Sequence, residues 1–325
     1  MNKPFLRYIF VSLVVVGVLL GGRETWQKAV KFGCLPPNGT RPSDGWMEAC
    51  ASDRIGDYGH SAIWFGTEPS VKGSILAAKL LIFGDSRMEF AVSRGGVAEW
   101  LSAQHLRFYL LAFGYGEESG WARRLLEKFH PDPAIMVFDT DPYFTGQQSL
   151  PAKAIEADPA GELKTALATK SFLDDDGKYC RYVPWLCGRT AAAYRSNLDG
   201  HVFDLSPERF WFGRAEQGRY PIMRPPPADP SRYPGYLENA RAILATVQID
   251  PRCVVFTIVP NDEQDDSLAR FLATRLGATF IAPHIDGLFT LDHWHLTAES
   301  SRIWMRAFMG ELEPIITRCI ESSRR

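Results

Sequence analysis

Continuous apolar runs alternate with stretches of helical periodicity in the first half of the chain, and this alternation predicts its architecture. The apolar runs, which have the length of strands, and the helical stretches between them cover residues 77–83, 88–102, 106–113, 120–130 and 134–138. Strands that are apolar along their whole length are typical of a parallel sheet with helices on both faces. The pattern therefore predicts an α/β fold, a three-layer doubly wound parallel sheet, with its ligand site at the carboxyl ends of the strands.

The alternation stops after residue 145 and resumes at residue 236. The resumed pattern predicts a helix, a strand, a helix, a short strand and a last helix over residues 237–247, 253–259, 266–276, 279–282 and 298–316. Residues 146–235 contain a helical piece, a cysteine-bracketed loop and a proline-rich stretch, and this is too long for an ordinary loop in a compact domain. We therefore predict an α/β domain formed by residues 76–145 and 236–325, interrupted by a mid-chain insertion.

The first residues predict a membrane anchor. Lys3 and Arg7 precede an uncharged, mostly apolar run over residues 8–22, which is short for a spanning helix but lengthens if Arg7 extends its charge toward the interface. The alternatives are a cleaved signal peptide, although no A-x-A-like site follows the run, and a soluble core helix. We expect residues 1–23 to form an N-terminal transmembrane helix, and residues 24–75, which are polar and irregular, to connect it to the α/β domain.

Composition and charge narrow the class of protein. With 325 residues, of which 46% are hydrophobic, the chain can bury a full core. Its formal net charge of −2 lacks the basic excess that is typical of nucleic-acid binding. We therefore expect no nucleic-acid partner.

The cysteine spacing indicates an oxidising compartment. Cys34 and Cys50 bracket one loop, and Cys180 and Cys187 bracket another, so two local disulfides are expected. Cys253 lies in an apolar strand, where we expect a plain core residue. Together with the anchor, these features predict a single-pass protein of the cytoplasmic membrane whose folded part lies on the periplasmic, extracytoplasmic side.

One predicted strand, in the stretch LLIFGDSRM, ends abruptly on Gly84, Asp85 and Ser86. Three hypotheses account for this ending: a turn in which Asp85 or Ser86 caps the next helix, a phosphate-binding loop, or a nucleophile presented at the end of a strand. A phosphate loop would need more glycine or a G-K-[ST] ending, and neither is present. The G-x-S-x-G elbow is also absent, so these three residues alone favour the turn.

A second motif, near the C-terminus, favours the nucleophile. In DHWHLT, Asp292 and His295 stand three residues apart, just before a helix that begins near Thr297. A short loop in that position lets the carboxylate hold the imidazole in one tautomer while the other ring nitrogen faces a serine hydroxyl. Ser86, His295 and Asp292 are therefore candidates for a catalytic triad.

Taken together, the two motifs resemble those of the SGNH (GDSL-type) hydrolase superfamily, in which the first strand ends in G-D-S and a D-x-x-H block precedes the last helix. The resemblance covers about residues 76–145 and 236–318 and implies a flavodoxin-like SGNH fold. It implies that Ser86 is the nucleophile, His295 its base and Asp292 the partner of His295. We expect neither a cofactor nor a metal.

The resemblance also implies an oxyanion hole, and here the match is incomplete. The backbone N–H groups of Ser86 and Gly114 align with two of the family's donors, and Gly116 is the alternative to Gly114. Asp141 occupies the position of the third donor, which is an asparagine in the family, and an ionised carboxylate cannot donate a hydrogen bond. Loss of one such donor costs about 2.7 to 4 kcal/mol in the transition state, so weak hydrolysis is one expectation.

Other side chains have two interpretations each. His293 beside His295 suggests a metal site with His284 and Asp292, but no third ligand has helix-compatible spacing. Arg87 is either a ligand for an anionic substrate group or a structural arginine, and residues 260–262 predict a strand-to-helix turn. Aromatic residues of the insertion and its border either stack on sugar rings or pack in a core: Trp185, Trp211, Tyr220, Tyr233 and Tyr236.

Two hypotheses of different classes follow. The first is a membrane-anchored SGNH-like serine esterase or O-acyltransferase that acts on acyl esters of a cell-envelope glycan through Ser86, His295 and Asp292. The second is a catalytically weak or inactive SGNH-like binding or assembly component of an envelope complex, in which Asp141 has degraded the oxyanion hole.

Overall fold

The computed structural model describes residues 45–49, 58–114, 116–140, 143–179, 193–204, 219–223, 225–227, 229–263 and 265–323, together with residues 12 and 15–17. Its helices, in chain order, are α1 Tyr58–Phe65, α2 Pro69–Ala77, α3 Ser86–Arg94, α4 Val97–Ala103, α5 Ser119–Phe129, α6 Leu150–Ala157, α7 Pro159–Tyr179, α8 Tyr233–Leu244, α9 Ser267–Leu276 and α10 Ala298–Ser323. Its strands are β1 Trp46–Ala49, β2 Leu80–Gly84, β3 Phe108–Ala112, β4 Ile135–Asp139, β5 Ala193–Ser196, β6 Val202–Asp204, β7 Tyr220–Pro221, β8 Val254–Thr257, β9 Thr279–Phe280 and β10 Phe289–Thr290.

Some of the sequence predictions concern residues outside these ranges. The predicted anchor over residues 1–23 is outside them except for residues 12 and 15–17. Among the helices that the structure describes, none is long and apolar enough to cross a membrane. Also outside the described residues are Asp141, both tryptophans of the insertion and the cysteines of the two predicted local disulfides: Trp185, Trp211, Cys34, Cys50, Cys180 and Cys187.

A five-stranded parallel sheet forms the centre of the molecule, in the order β3-β2-β4-β8-β9. Counted along the chain within the sheet, this order is 2-1-3-4-5, that of flavodoxin-like doubly wound folds. The predicted α/β class with a parallel sheet is confirmed. The strand order reverses between β2 and β4, and ligands of such sheets bind beyond the carboxyl ends of the strands at this switch point.

The two faces of the sheet are buried under separate layers of helices. Successive side chains of a strand point to opposite faces, so Phe83 and Phe138 lie on one face while Ile82 and Val137 lie on the other. Helices α1, α5, α8 and α9 cover the first face, and α3, α4 and α10 cover the second. Because both faces are covered, β2, β3, β4 and β8 are apolar except for Asp139 and Thr257, the last residues of β4 and β8.

The residues that precede β2, the first strand of the central sheet, do not form the irregular connection that we expected. Residues 58–75 form α1 and most of α2, and α1 buries six of its eight residues, from Tyr58 to Ile63. A helix that is buried on nearly all sides has no polar face, so its sequence YGHSAIWF lacks the amphipathic period by which helices are predicted. The expectation of an irregular segment is wrong for these residues.

The predicted insertion supplies α6, α7 and β5 to β7. We call residues 193–204, which contain β5 and β6, the inserted hairpin. Its first strand pairs antiparallel with β1, and its turn reaches the outer edge of β3, where Asp199 O accepts a hydrogen bond from Leu110 N at 2.8 Å. In that turn, Gly200 has φ +75°, and a Cβ there would lie 2.4 Å from Leu110 O, so this close approach requires glycine. The hairpin therefore covers an edge strand of the sheet.

A disulfide corrects our expectation for Cys253. This residue is buried, but it is bonded to Cys319 of α10, with the two Cα atoms 5.9 Å apart. The two cysteines are separated by 66 residues in sequence. Their proximity depends on the packing of α10 against the start of β8, which no local pattern reveals.

Candidate active site

The stretch GDS connects β2 to α3, and each of its residues has a separate structural role. A Cβ on Gly84 would lie 2.5 Å from Met88 Cβ and 3.1 Å from Asp139 Cβ, so glycine permits the close packing of α3 and β4 at this point. Asp85 is the N-cap of α3, and its Oδ1 accepts a hydrogen bond from Arg87 N at 2.8 Å. The capping role proposed for a turn therefore belongs to Asp85, which leaves the Ser86 hydroxyl available to another partner.

The structure brings Ser86, His295 and Asp292 together at the carboxyl edge of the sheet. Ser86 Oγ lies 2.8 Å from His295 Nε2, and His295 Nδ1 lies 2.7 Å from Asp292 Oδ2. Because an ionised carboxylate only accepts hydrogen bonds, His295 Nδ1 is the donor to Asp292, and Nε2 then accepts from the serine hydroxyl. This series has the order of a nucleophile, a base and an orienting carboxylate.

Asp292 holds both the backbone and the side chain of the base. Its Oδ1 accepts hydrogen bonds from His295 N at 2.8 Å and from Trp294 N at 3.1 Å, while its Oδ2 accepts from the imidazole. Partial burial favours a higher pKa for Asp292, but the hydrogen bond and charge of His295 and the two backbone N–H groups outweigh it and lower the pKa. Asp292 is therefore ionised at neutral pH and can stabilise an imidazolium.

Phe90 is a site residue that the sequence analysis missed. It lies on α3 four positions after Ser86, and its ring meets the imidazole of His295 edge-on with the centroids 4.7 Å apart. Positions four apart in a helix share a face, so the spacing from Ser86 was the available signal. With this contact the side chain of His295 is only 7% exposed, although Ser86 remains half-buried.

The backbone of Gly114 lies beside the segment that carries Ser86. In the parallel ladder Gly84 is opposite Ala112, and Phe113 N donates to Gly84 O at 3.3 Å. Ser86 follows Gly84 by two residues, and Gly114 follows Ala112, the ladder partner of Gly84, by two residues. As the first residue of α3, Ser86 has an N–H group without an intrahelical acceptor, at the positive end of the helix dipole.

Gly116, the alternative to Gly114 in the predicted oxyanion hole, has a backbone conformation that favours glycine. Its φ is +65°, in the left-handed region that favours glycine, whereas Gly114 does not have a positive φ. A Cβ on Gly114 would meet only Glu89 Oε2, at 3.9 Å, which is ordinary van der Waals contact. A Cβ on Gly116 would meet nothing within 4 Å, so both glycines leave room for a ligand, and they differ in that only Gly116 has a positive φ.

Carboxyl groups crowd the chain after Gly114. Glu117 is buried and accepts hydrogen bonds from Ser149 N at 3.2 Å and from the Ser149 hydroxyl, and it lies 2.8 Å from His60 Nε2. Burial raises the pKa of the next residue, Glu118, to about 7, and the charge of Asp85 adds to the rise. The loop is therefore tied to α1 and to the start of α6, and one of its carboxyl groups titrates near neutral pH.

The structure separates the residues of the suggested metal site. His293 Nδ1 is 2.8 Å from Asp262 Oδ2, and His284 Nε2 is 3.5 Å from Asp286 Oδ1. No group of three or more His, Cys, Asp or Glu side chains within the described ranges is arranged to hold a metal ion.

Of the two roles proposed for Arg87, its contacts support the structural one. Its side chain is 8% exposed, and Nη2 donates to Glu263 Oε2 at 2.7 Å. Glu263 directly follows the predicted strand-to-helix turn, residues 260–262, and its N–H donates to Asn261 Oδ1 in that turn at 2.7 Å. Because its charge is paired, Arg87 supplies no separate site for an anionic substrate group.

Exposed aromatic side chains lie next to the triad. Trp294, the neighbour of His295, is 47% exposed, and Tyr220 is 41% exposed. The ring of Tyr220 lies 4.2 Å from that of His293, whose φ is +73°. We call Tyr220, His293 and Trp294 the aromatic rim.

Of the other aromatic candidates, Tyr236 is buried in the core, and the Tyr233 ring packs on Phe271 with the ring centroids 4.8 Å apart.

No protein-family model matches the chain, and no curated protein or solved structure matches it either. Function is therefore inferred from the geometry of the site and from the two motifs.

Proposed function

We propose that this chain is an SGNH-like serine esterase or O-acyltransferase. The observation that carries the proposal is the hydrogen-bonded series Ser86–His295–Asp292, which joins positions 209 residues apart at the switch point of a parallel sheet. A nucleophile, a base and an orienter within hydrogen-bond distance are the parts that acyl transfer requires.

In the first half of the reaction, Ser86 Oγ attacks the ester carbonyl carbon and its proton moves to His295 Nε2. The carbonyl oxygen becomes an oxyanion, which the N–H groups of Ser86 and Gly114 and the N-terminus of α3 stabilise. Asp292 stabilises the imidazolium that has formed. When the carbonyl re-forms, the bond to the alkoxy oxygen breaks, the alcohol leaves with the proton from His295, and the acyl group remains on Ser86.

In the second half, an incoming hydroxyl attacks the acyl group and gives its proton to His295, which returns it to Ser86 as the ester breaks. Water as the attacking group gives hydrolysis, and a sugar hydroxyl gives acyl transfer. Incubation with an acetyl donor ester, with and without an oligosaccharide acceptor, distinguishes the two. Mass spectrometry would show acetylated acceptor only if transfer occurs.

An acyl ester of a neutral envelope glycan is the proposed substrate. The aromatic rim presents flat apolar faces that suit the C–H face of a sugar ring, and the His293–Asp262 pair can bond to hydroxyl groups. Glu263 neutralises Arg87, and Asp262 and Asp292 are acidic, so the surroundings disfavour an anionic substrate. The Cys253–Cys319 disulfide agrees with the proposed extracytoplasmic location of a membrane-anchored chain.

Hydrolysis of 4-nitrophenyl acetate by the full chain in detergent tests the proposal. We expect Ser86-dependent activity that is lost in Ser86→Ala and His295→Ala. We expect Asp141→Asn to raise kcat by about tenfold, because an amide can donate to the oxyanion and a carboxylate cannot. Equal rates for wild type and folded Ser86→Ala would contradict the esterase.

The second candidate is an SGNH-like binding or assembly component, and the carboxylate at position 141 is the observation that favours it. A fluorophosphonate probe separates the candidates because it reacts covalently only with an activated serine. Labelling of wild type but not of Ser86→Ala would support the enzyme. Labelling of neither protein would support the binding component.

A further inference from the structure

A buried arginine links the inserted hairpin to the oxyanion side of the proposed site. Arg195 of β5 is 0% exposed, and its Nη1 donates to Gly200 O at 2.9 Å. Its Nη2 donates to Ala112 O at 3.0 Å and to the Glu89 carboxylate. A buried charge is tolerated when it is paired and hydrogen-bonded, and both terminal nitrogens of this guanidinium meet these conditions, whereas its buried Nε has no hydrogen-bond partner among the described residues.

The partners of this guanidinium border Gly114. Ala112 is the last residue of β3, two positions before Gly114, and the guanidinium carbon lies 4.5 Å from the ring centroid of Phe113 between them. Glu89 lies on α3, three positions after Ser86, and its Oε2 is 3.9 Å from the place of a Gly114 Cβ. The ion pair thus contacts both segments that carry the proposed oxyanion donors.

The hairpin is attached to the domain by hydrogen bonds besides those of Arg195. Leu110 N donates to Asp199 O at 2.8 Å, and Val202 N donates to Ser93 Oγ at 2.9 Å. Replacement of buried ionic groups by well-packed apolar side chains is often neutral or stabilising. Attachment and stability therefore give no sufficient reason for a guanidinium at this position.

We propose that Arg195 is a positioning residue, which holds residues 112–114 beside Ser86 so that Gly114 N–H faces the oxyanion. A guanidinium suits this task because its Nη2 bonds both the strand carbonyl of Ala112 and the helix carboxylate of Glu89, while Nη1 of the same rigid plane is fixed by the hairpin carbonyl of Gly200. The catalytic consequence rests on the proposed function, whereas the placement of Gly114 can be measured without any reaction.

Steady-state kinetics with 4-nitrophenyl acetate test the catalytic consequence. Removal of a whole oxyanion donor lowers kcat by about 10² to 10³, so we expect misplacement in Arg195→Met to lower it by about 10 to 100-fold. KM is expected to stay within about twofold, as is usual when a contact made in the transition state is lost. The midpoint of the pH profile is expected to stay unchanged, because His295 and Asp292 are not touched.

Three further variants distinguish positioning from general stability. Arg195→Lys keeps the charge but lacks the fork, so we expect a smaller loss of kcat than in Arg195→Met. Glu89→Gln removes the other half of the pair and is expected to lower kcat with a milder effect on folding. Ser93→Ala is the matched control, since it loosens the hairpin through Val202 without touching residues 112–114.

The placement of Gly114 is measured by NMR of protein labelled with ¹⁵N-glycine. Its amide resonance is assigned by its disappearance in Gly114→Ala, a change for which the structure has room. We expect the resonance to shift or broaden in Arg195→Lys and in Glu89→Gln but not in Ser93→Ala. This readout remains valid if the wild type lacks esterase activity, which would refute the proposed function alone.

The positioning role is overturned if folded Arg195→Lys and Glu89→Gln keep both the wild-type kcat and the wild-type Gly114 resonance. If Arg195→Met does not fold, these two milder variants decide the question. A loss of kcat in Ser93→Ala as large as in Arg195→Lys would also overturn it, because hairpin attachment would then explain the effect.

Discussion

The two sides of Ser86 are built from different kinds of contact. On the base side, Asp292 and His295 belong to one short loop, and a single carboxylate orders both its backbone and its imidazole. On the oxyanion side, Gly114 follows an edge strand, and the groups around it come from α3 and from the inserted hairpin.

This difference shows that the two sides of the site tolerate different separations along the sequence between their residues. A base and its orienter can be sequence neighbours, because one hydrogen bond fixes the ring. An oxyanion site needs two backbone segments in a fixed relation, so it depends on the packing of elements that are far apart in the chain.

The largest expected effect comes from Asp292→Asn on the base side. The asparagine oxygen can still accept from the two backbone N–H groups, which directs its NH₂ toward His295 Nδ1 and favours the wrong imidazole tautomer. We expect kcat to fall by about 10⁴ with little change in the melting temperature. Asp286→Asn, in an exposed His–Asp pair outside the hydrogen-bonded series, is the matched control and should leave kcat unchanged.

A second prediction concerns the disulfide that ties α10, the helix after the base loop, to the start of β8. Replacement of Cys253 and Cys319 by serine should lower the free energy of unfolding by about 2–4 kcal/mol, because the open loop restores entropy to the unfolded chain. Urea denaturation measures the loss. If contacts within the loop of Asp292 and His295 suffice to organise the base side, kcat at 25 °C is unchanged in this variant. A fall of kcat together with the free energy of unfolding would contradict the local organisation of the base side.

A third prediction addresses the strained backbone of the base loop. His293 has φ +73°, so His293→Gly relieves strain while it removes the ring from the aromatic rim. We expect KM for an O-acetylated oligosaccharide to rise several-fold and kcat to stay constant. His293→Ala removes the same ring but keeps the strain, so it should be less stable than His293→Gly by about 1 kcal/mol. An unchanged KM in both variants would remove His293 from the substrate site.

The smallest effect is a pH dependence on the oxyanion side. Burial raises the pKa of Glu118 from 4.5 to about 7, so the folded chain retains a proton that the unfolded chain releases between these values. Stability is therefore lost as pH rises through this window, and the loss is complete above about pH 7. Melting temperatures at pH 5 and pH 8 should differ less in Glu118→Gln than in wild type. An equal difference in both proteins would show that Glu118 is not the group responsible.

Much of the fold was predictable because its strands and helices correspond to local patterns in the sequence. Strands buried on both faces are apolar throughout, and the helices between them show the period of 3.6 residues. Local traces fail where burial is complete, as in α1, whose residues Tyr58 to Ile63 are all buried. The Cys253–Cys319 bond leaves no local pattern either, since it joins distant parts of the chain. The contact of Phe90 with His295 also joins distant parts, and its only local signal is that Phe90 lies four positions after Ser86 on one helix.

The sequence by itself determined the class of fold, the order of the strands in the central sheet along the chain and the identity of the three residues in the hydrogen-bonded series, because periodicity and short motifs are local properties. Only the tertiary structure decided that Arg87 pairs with Glu263, that Cys253 pairs with Cys319 and that Arg195 lies behind Gly114. The physical reason is that a buried ion pair or disulfide depends on the distance between elements. Arg195 and Glu89, 106 residues apart in the chain, meet only because the inserted hairpin packs against the edge of the sheet.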